Sequence, residues 1–167
     1  MVRIRRLFAN LFGSWFQLPR RFSPAVLDAM AAAIAAGERS HLGEIRLAVE
    51  SRLPALKVMR GLDAPTRARQ VFGQLRVWDT ELNTGVLIYV LVAEQRIEVV
   101  ADRGISAKVA TEAWEAICMR MRTFYAADEW LAGSLAAIAA ANDLLVQHFP
   151  GEGQSNPDEL PDRPVVL

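Results

Sequence analysis

Residues 85–104, GVLIYVLVAEQRIEVVADRG, constrain the fold of this chain more than any other stretch. From Val86 to Val92 every side chain is apolar or aromatic, without polar alternation, over a run shorter than a helix normally needs. Such a run suits a strand covered on both faces. Ala93-Glu94-Gln95-Arg96 is where the chain turns, although it lacks the Asn-Gly signal of the tightest hairpins. The spacing therefore predicts strands over 85–93 and 96–102, with the rest of the chain supplying helices that cover them.

The segment GEIRLAVES, residues 43–51, alternates cleanly, with Ile45, Leu47 and Val49 on one side and Glu44, Arg46 and Glu50 on the other. It reads as the first strand, its polar face solvated or covered by a helix. Ser23-Pro24 opens a helix over about 23–36 that Gly37 closes. A second helix spans 65–78 from a start at Asp63 or Thr66. A third spans 106–122 with Ser106 as its cap, and a fourth spans 128–148. The arginines Arg67, Arg69 and Arg76 read as a solvated helix face, and Trp78, Trp114 and Trp130 as core aromatics. Strand, helix and hairpin in that order predict a parallel pairing of the first two strands through a right-handed crossover, with the third antiparallel. The fold class is α/β: a small mixed β-sheet of three to four strands, covered by helices on both faces.

A chain of 167 residues with 52% apolar and 23% charged residues is one globular domain with a proper core. Its ends differ in charge. Residues 1–27 contain Arg3, Arg5, Arg6, Arg20 and Arg21 and no acid, whereas 151–167 contain Glu152, Asp158, Glu159 and Asp162 against Arg163 alone. The balanced body offers no broad basic surface to nucleic acid. The organisation is thus a basic amphipathic arm over 1–21, a domain over 22–150 and an acidic, irregular, Pro- and Gly-rich tail over 151–167. In the arm Ile4, Leu7, Phe8, Leu11, Trp15 and Leu18 recur at helical spacing beside the arginines. Asn10, Gly13, Ser14 and Gln17 interrupt the run, so it does not read as a secretory signal. No stretch reads as a membrane span of ~20 apolar residues. Three readings stand for residues 1–18: packing on their own domain, an arm for a membrane surface or protein partner, or plain disorder. A single cysteine, Cys118, excludes an internal disulfide and reads as a buried structural thiol.

Three pieces, LRVWDTELNTGVLIYVLVAEQRIEVVADRGI, FYAADEWLAGSL and HLGEIRLAVES, resemble a TPM domain over about residues 22–150. The family is named after a thylakoid-lumen protein, a photosystem II repair protein and an auxiliary receptor subunit of nematodes. Within it the chain is most similar to a compact bacterial subgroup without a transmembrane helix. The resemblance implies an α/β fold with a small mixed sheet between helices. Acid phosphatase activity and divalent-cation binding are suggested for some members, while others are accessory proteins of membrane complexes. The expected location is cytoplasmic, or peripheral at the inner face of the membrane.

The residues themselves offer one constellation for such chemistry. Asp79, Glu81 and Asn83 alternate on the loop ahead of Gly85, as oxygen ligands of a hard cation such as Ca²⁺ or Mg²⁺ require. An EF-hand is rejected, since Thr84 holds the usual Gly position and Val90 the place of the last acid. Because the third strand reverses, Asp102 returns beside the start of the second and converges with Asn83 and Glu81. The competing reading makes Asp79 and Asp102 caps and Asn83 a turn residue. A phosphatase would need a further positive group, for which Arg103 is the candidate. Nucleophilic motifs are missing: His41 reads as an exposed loop histidine, and no Gly-x-Ser-x-Gly, Walker or His-Glu-x-x-His pattern occurs. Two functions follow, an accessory or binding protein acting on a membrane surface or protein complex, and a metal-dependent phosphatase.

Overall fold

The computed structural model describes residues 2–151 and 159–167, apart from the side chains of residues 2, 3, 14 and 15. Arg3 of the expected basic cluster and Trp15 of the expected apolar stripe, and Glu152 and Asp158 of the acidic tail, therefore lie outside the described side chains.

Four strands form one sheet in the order β3-β2-β1-β4: β1 is Glu44–Glu50, β2 Gly85–Leu91, β3 Arg96–Ala101 and β4 Val165–Val166. β1 and β2 run parallel, Glu44 opposite Gly85 and Glu50 opposite Leu91. β3 returns antiparallel, with Val86 opposite Ala101 and Leu91 opposite Arg96. Both arrangements are those the order of elements predicts. β4 is the difference: the tail was expected to be irregular, yet Val165 and Val166 pair in parallel with Ala48 and Val49.

Every residue of β2 is buried, and its period of two divides the core into two layers. Val86, Ile88 and Val90 join Ile45, Leu47 and Val49 beneath α3 (Pro24–Glu38), α7 (Thr111–Ala126) and α8 (Trp130–His148). Leu87, Tyr89 and Leu91 pack with Ala48 under the short helix α4 (Ala55–Met59) and α5 (Ala64–Gln74). Helices thus cover both faces. α8 is the one described helix long and apolar enough to cross a membrane by length and composition. Here Ala137, Ile138, Ala141 and Leu145 on it are buried core residues.

Three helix expectations need correction. α5 stops at Gln74 rather than 78, because Arg76 takes φ 54° and Val77 N–H reaches back to Phe72 O at 3.0 Å. The consequence is that Trp78 falls beyond the helix and is 50% exposed, while Trp114 and Trp130 are buried as expected. The helix expected over 106–122 is two: α6 (Arg103–Ser106), then α7 starting at Thr111. The cap is Asp102, whose carboxylate accepts from Arg103 N–H at 2.7 Å, not Ser106, whose hydroxyl donates back to Asp102 O at 2.8 Å. Gly37 does not end α3, which continues through Glu38.

At the N-terminus α1 (Val2–Phe12), a 3₁₀ turn (Ser14–Gln17) and α2 (Leu18–Arg21) precede α3.

Two glycines hold the ends of the hairpin at close approach. A Cβ on Gly85 would stand 1.8 Å from Val77 O, and one on Gly104 would stand 2.4 Å from Leu82 O. Backbone, unlike a side-chain tip, has no rotamer with which to yield. Gly85→Ala should lose about 1–3 kcal/mol of unfolding free energy by forcing the start of β2 away from Val77. Urea denaturation checks this, with Gly73→Ala as the control, since nothing lies within 4 Å of a Cβ at Gly73.

Candidate functional site

The reversal of β3 brings its C-terminal end beside the loop that precedes β2. Asp102 N–H donates to Gly85 O at 2.8 Å, and Gly104 N–H to Asn83 O at 2.9 Å. Asn83 sits at φ 55°, a left-handed conformation that asparagine tolerates better than most side chains. Its amide oxygen accepts from Arg103 Nε at 2.8 Å. Asn83, Asp102 and Arg103 are therefore neighbours, as the topology implied. Asp102 caps α6 with Oδ1, while its Oδ2 is buried without a hydrogen-bond partner. Glu81 is on the same loop, its backbone N–H bonded to the Glu159 carboxylate at 3.0 Å. Asp79 lies at the loop's exposed start, its N–H donating to Arg76 O at 2.9 Å. Among the described residues no three His, Cys, Asp or Glu side chains are grouped to hold a metal ion.

The polar face of β1 is buried. Glu44 is wholly inaccessible, and Arg46 and Glu50 are nearly so. Glu50 Oε2 accepts from Arg67 Nε at 2.7 Å and from the Tyr89 hydroxyl at 2.6 Å. Burial, and then the neighbouring carboxylate, push the Tyr89 hydroxyl up, so it remains a donor. Arg67 is thus a half-buried ion-pair partner, which corrects its reading as part of a solvated face. At the other end of β1, Arg46 Nη1 donates to Pro161 O and, at 2.7 Å, to Arg163 O. Glu44 Oε2 accepts from Leu160 N–H at 3.2 Å. Glu38, at the end of α3, accepts from Ile45 N–H at 2.9 Å. Its carboxyl is pushed up to about 9, chiefly by burial, with Glu44 and Asp162 adding to the rise. The sequence carried one signal for this: a strand with Glu44, Arg46 and Glu50 on one face needs partners once that face is covered.

The N-terminal arm docks through polar atoms. Arg6 forms a two-pronged pair with Glu94 (2.7 and 2.9 Å) and donates to Leu62 O at 2.6 Å. Asn10, one turn later and only 1% exposed, donates to Glu94 at 2.7 Å and accepts from Leu53 N–H at 2.6 Å. The apolar side faces outward: Phe8 is 59% and Phe12 75% exposed, their rings 6.1 Å apart, and Ile4, Leu11 and Phe16 are exposed too. α1 packs along α4, whose Leu56 and Met59 are likewise exposed.

Cys118 is half-buried, and burial pushes its thiol up to about 11, the behaviour of a structural residue rather than a nucleophile. His41 is fully buried, which corrects its reading as an exposed loop residue. Its Nδ1 accepts from Gly43 N–H at 3.2 Å, and Nε2 lies 2.9 Å from Asn142 Oδ1. The loop is drawn under α8 by the bridge between His41 and Pro150. Burial lowers the His41 pKa, so the folded state resists taking up its proton. The folded value lies below the unfolded one; His41 therefore costs nothing above about pH 6.5 and destabilises as pH falls through the gap, by up to about 1.4 kcal/mol per pH unit. The difference in unfolding free energy between wild type and His41→Gln should shrink accordingly below pH 6.5, as measured by chemical denaturation across pH.

Comparison with known proteins agrees with this architecture. The NMR structure of BA42 protein from the psychrophilic bacterium Bizionia argentinensis sp. nov. is similar at 27% identity and a TM-score of 0.76. The match covers 87% of this chain and 94% of that one. No match is found among the curated proteins. The family model of the TPM domain matches residues 20–144, which take in β1, the hairpin, the Asn83–Asp102–Arg103 junction and all but the last turn of α8, and the chain therefore belongs to the TPM domain family.

Proposed function

We propose that this TPM-domain protein is an accessory protein that docks on an anionic membrane surface through the outer face of α1 and α4. The observation that carries the reading is the inverted orientation of α1. A surface helix normally turns its apolar stripe to the core. Here Arg6 and Asn10 hold the helix to the domain, while Phe8 and Phe12 face outward. The surroundings favour a lipid surface: neither residues 1–27 nor residues 51–62 contain an acid, and Arg5, Arg20, Lys57 and Arg60 in these segments are exposed. Basic side chains beside an anionic bilayer contribute about 1 kcal/mol each, a contribution that salt screens. Insertion of the phenylalanines adds a part that salt leaves intact.

Vesicles of phosphatidylglycerol and phosphatidylcholine should co-sediment the protein, neutral phosphatidylcholine vesicles only weakly, and high salt should release most of it. Phe8→Ser with Phe12→Ser should weaken binding by about tenfold or more with an unchanged Tm, because burying one such ring is worth about 1.5–3 kcal/mol. Equal sedimentation of the double variant and wild type would overturn the reading.

A second reading rests on the buried, unpartnered Oδ2 of Asp102. An oxygen in that state suits a hard cation, and Asn83 and Glu81 on the adjoining loop, with Asp79 at its start, would complete the ligands. A bound cation would supply Lewis-acid polarisation of a phosphoryl oxygen. Arg103, held by Asn83, would orient the phosphate, and the chain would then be a metal-dependent phosphatase. The cation would compete with the Arg103 guanidinium for the Asn83 amide oxygen. Ca²⁺ or Mg²⁺ should raise the Tm of the wild type, and Asp102→Asn should abolish the rise. An equal rise in both would remove Asp102 from the site.

A further inference from the structure

β3 is the last strand of the sheet on the side away from β4, and among the described residues no strand lies along its outer edge. Asp102 N–H bonds to Gly85 O, and such bonds fall on alternate residues of an antiparallel pair. Arg96, Glu98 and Val100 therefore spend their main-chain groups on β2, while Ile97, Val99 and Ala101 turn theirs outward. Val99 N–H is engaged by the Cys118 thiol, which leaves the N–H groups of Ile97 and Ala101 and three outward carbonyls without a strand to bond.

This edge borders a groove of about 590 Å³. Every residue of β3 lines it, together with one side of α7, where Thr111, Trp114, Glu115, Cys118, Met119 and Arg122 recur at helical spacing. Toward the hairpin turn it continues into a hollow of about 450 Å³, apolar at Val92, Tyr125 and Trp130, with which it shares Arg96, Ile97, Met119 and Arg122. Positive charge is in excess along the groove: Arg69, Arg96 and Arg122 stand against Glu98 and Glu115. Arg96 lies 3.5 Å from Glu98, but Arg69 and Arg122 are exposed and form no ion pair among the described residues. Trp114 is only 7% exposed, and its indole N–H has no hydrogen-bond partner. A buried indole N–H of this kind calls for an acceptor.

We propose that this groove binds an extended, alternately apolar and acidic peptide segment of a partner protein, which joins the outer edge of β3 as a further strand of the sheet. The main chain of the peptide bonds to the outward groups of Ile97 and Ala101. Six extended residues, the length of β3, span about 20 Å. The alternation follows from the sheet itself. Ile97, Val99 and Ala101 belong to the core layer of α7, and Val100 to that of α5. An added strand presents its side chains to the same two sides. Apolar ones on the α7 side meet Trp114 and Met119, and acidic ones on the α5 side meet Arg69 and Arg96. A second copy of this chain is the poorer occupant, because pairing β3 with itself would set one arginine-rich groove against another.

The test uses the ¹⁵N-labelled full chain and two capped hexapeptides, (Val-Glu)₃ and (Val-Lys)₃. With (Val-Glu)₃ at about ten times its Kd, amide exchange at Ile97 and Ala101 should slow about tenfold, since only the unbound fraction exchanges. The Trp114 indole proton should move downfield in the same titration. (Val-Lys)₃ should do neither. Arg69→Glu with Arg122→Glu, both at exposed positions, should weaken (Val-Glu)₃ binding about tenfold or more at an unchanged Tm, and should gain affinity for (Val-Lys)₃. Exchange at Ile97 and Ala101 that stays unchanged up to the solubility limit of (Val-Glu)₃, or equal binding of the two peptides by the wild type, would overturn the proposal. So would a chain that sediments as a dimer with those two amides already protected, which would give the edge to a second copy. The exchange measurement on the wild type decides even if the double variant does not fold.

Discussion

The rest of the structure depends on the dryness of β2. A strand with no polar alternation has no face to offer water, so it needs a helical layer on each side and a neighbour along each edge. The hairpin supplies one neighbour within a few residues. The other must be parallel, because a helical crossover is what fills the space between β1 and β2, and parallel pairing places β1 in the interior as well. β1 carries Glu44, Arg46 and Glu50 into that interior with it. An unpaired charge in such a place costs several kcal/mol. The polar architecture of the molecule is largely the set of groups that prevent this: Arg67 and Tyr89 at one end, and the backbone of residues 160–163 at the other.

The hairpin, the parallel crossover and the two-layer cover were legible in the sequence because each follows from local pattern. β2 is a run, β1 an alternation, and the sign of their pairing follows from what lies between. The adjacency of Asn83 and Asp102 was legible for the same reason, since an antiparallel return brings ends together whatever the side chains do. What remained hidden depends on contacts between residues far apart in the chain. Nothing near Arg67 marks it as the partner of Glu50, and nothing near His41 says that α8 will close over it. Val165-Val166-Leu167 is a three-residue apolar ending after Pro164, too short for its pattern to announce a strand. The end of α5 was misread because the turn at Arg76 lacks the Gly or Asn that usually marks a left-handed residue, and with it went the burial of Trp78.

The arm shows how a correct pattern can leave its meaning open. The spacing of Ile4, Phe8 and Leu11 establishes an amphipathic helix, but not which side meets the domain. That choice was made by Asn10, a residue that interrupts the apolar run. It satisfies the Leu53 N–H and, with Arg6, the Glu94 carboxylate at the hairpin turn, two partners that no apolar side chain would serve. The polar interruption is the anchor, and the apolar stripe is left outside because it has no part in that anchor.

The covering of β1 by residues 160–167 has a consequence for the order of events during synthesis. Arg46 precedes its carbonyl partners by 115 and 117 residues, so the ribosome delivers the β1 edge long before its cover. In that interval an unpaired strand edge is a template for association with other nascent chains. Glu44, Arg46 and Glu50 are the kind of side chains that discourage such association, because a neighbour pairing there would have to strip water from three charges. The same charges that demand burial partners in the finished protein are thus its protection while it is being made.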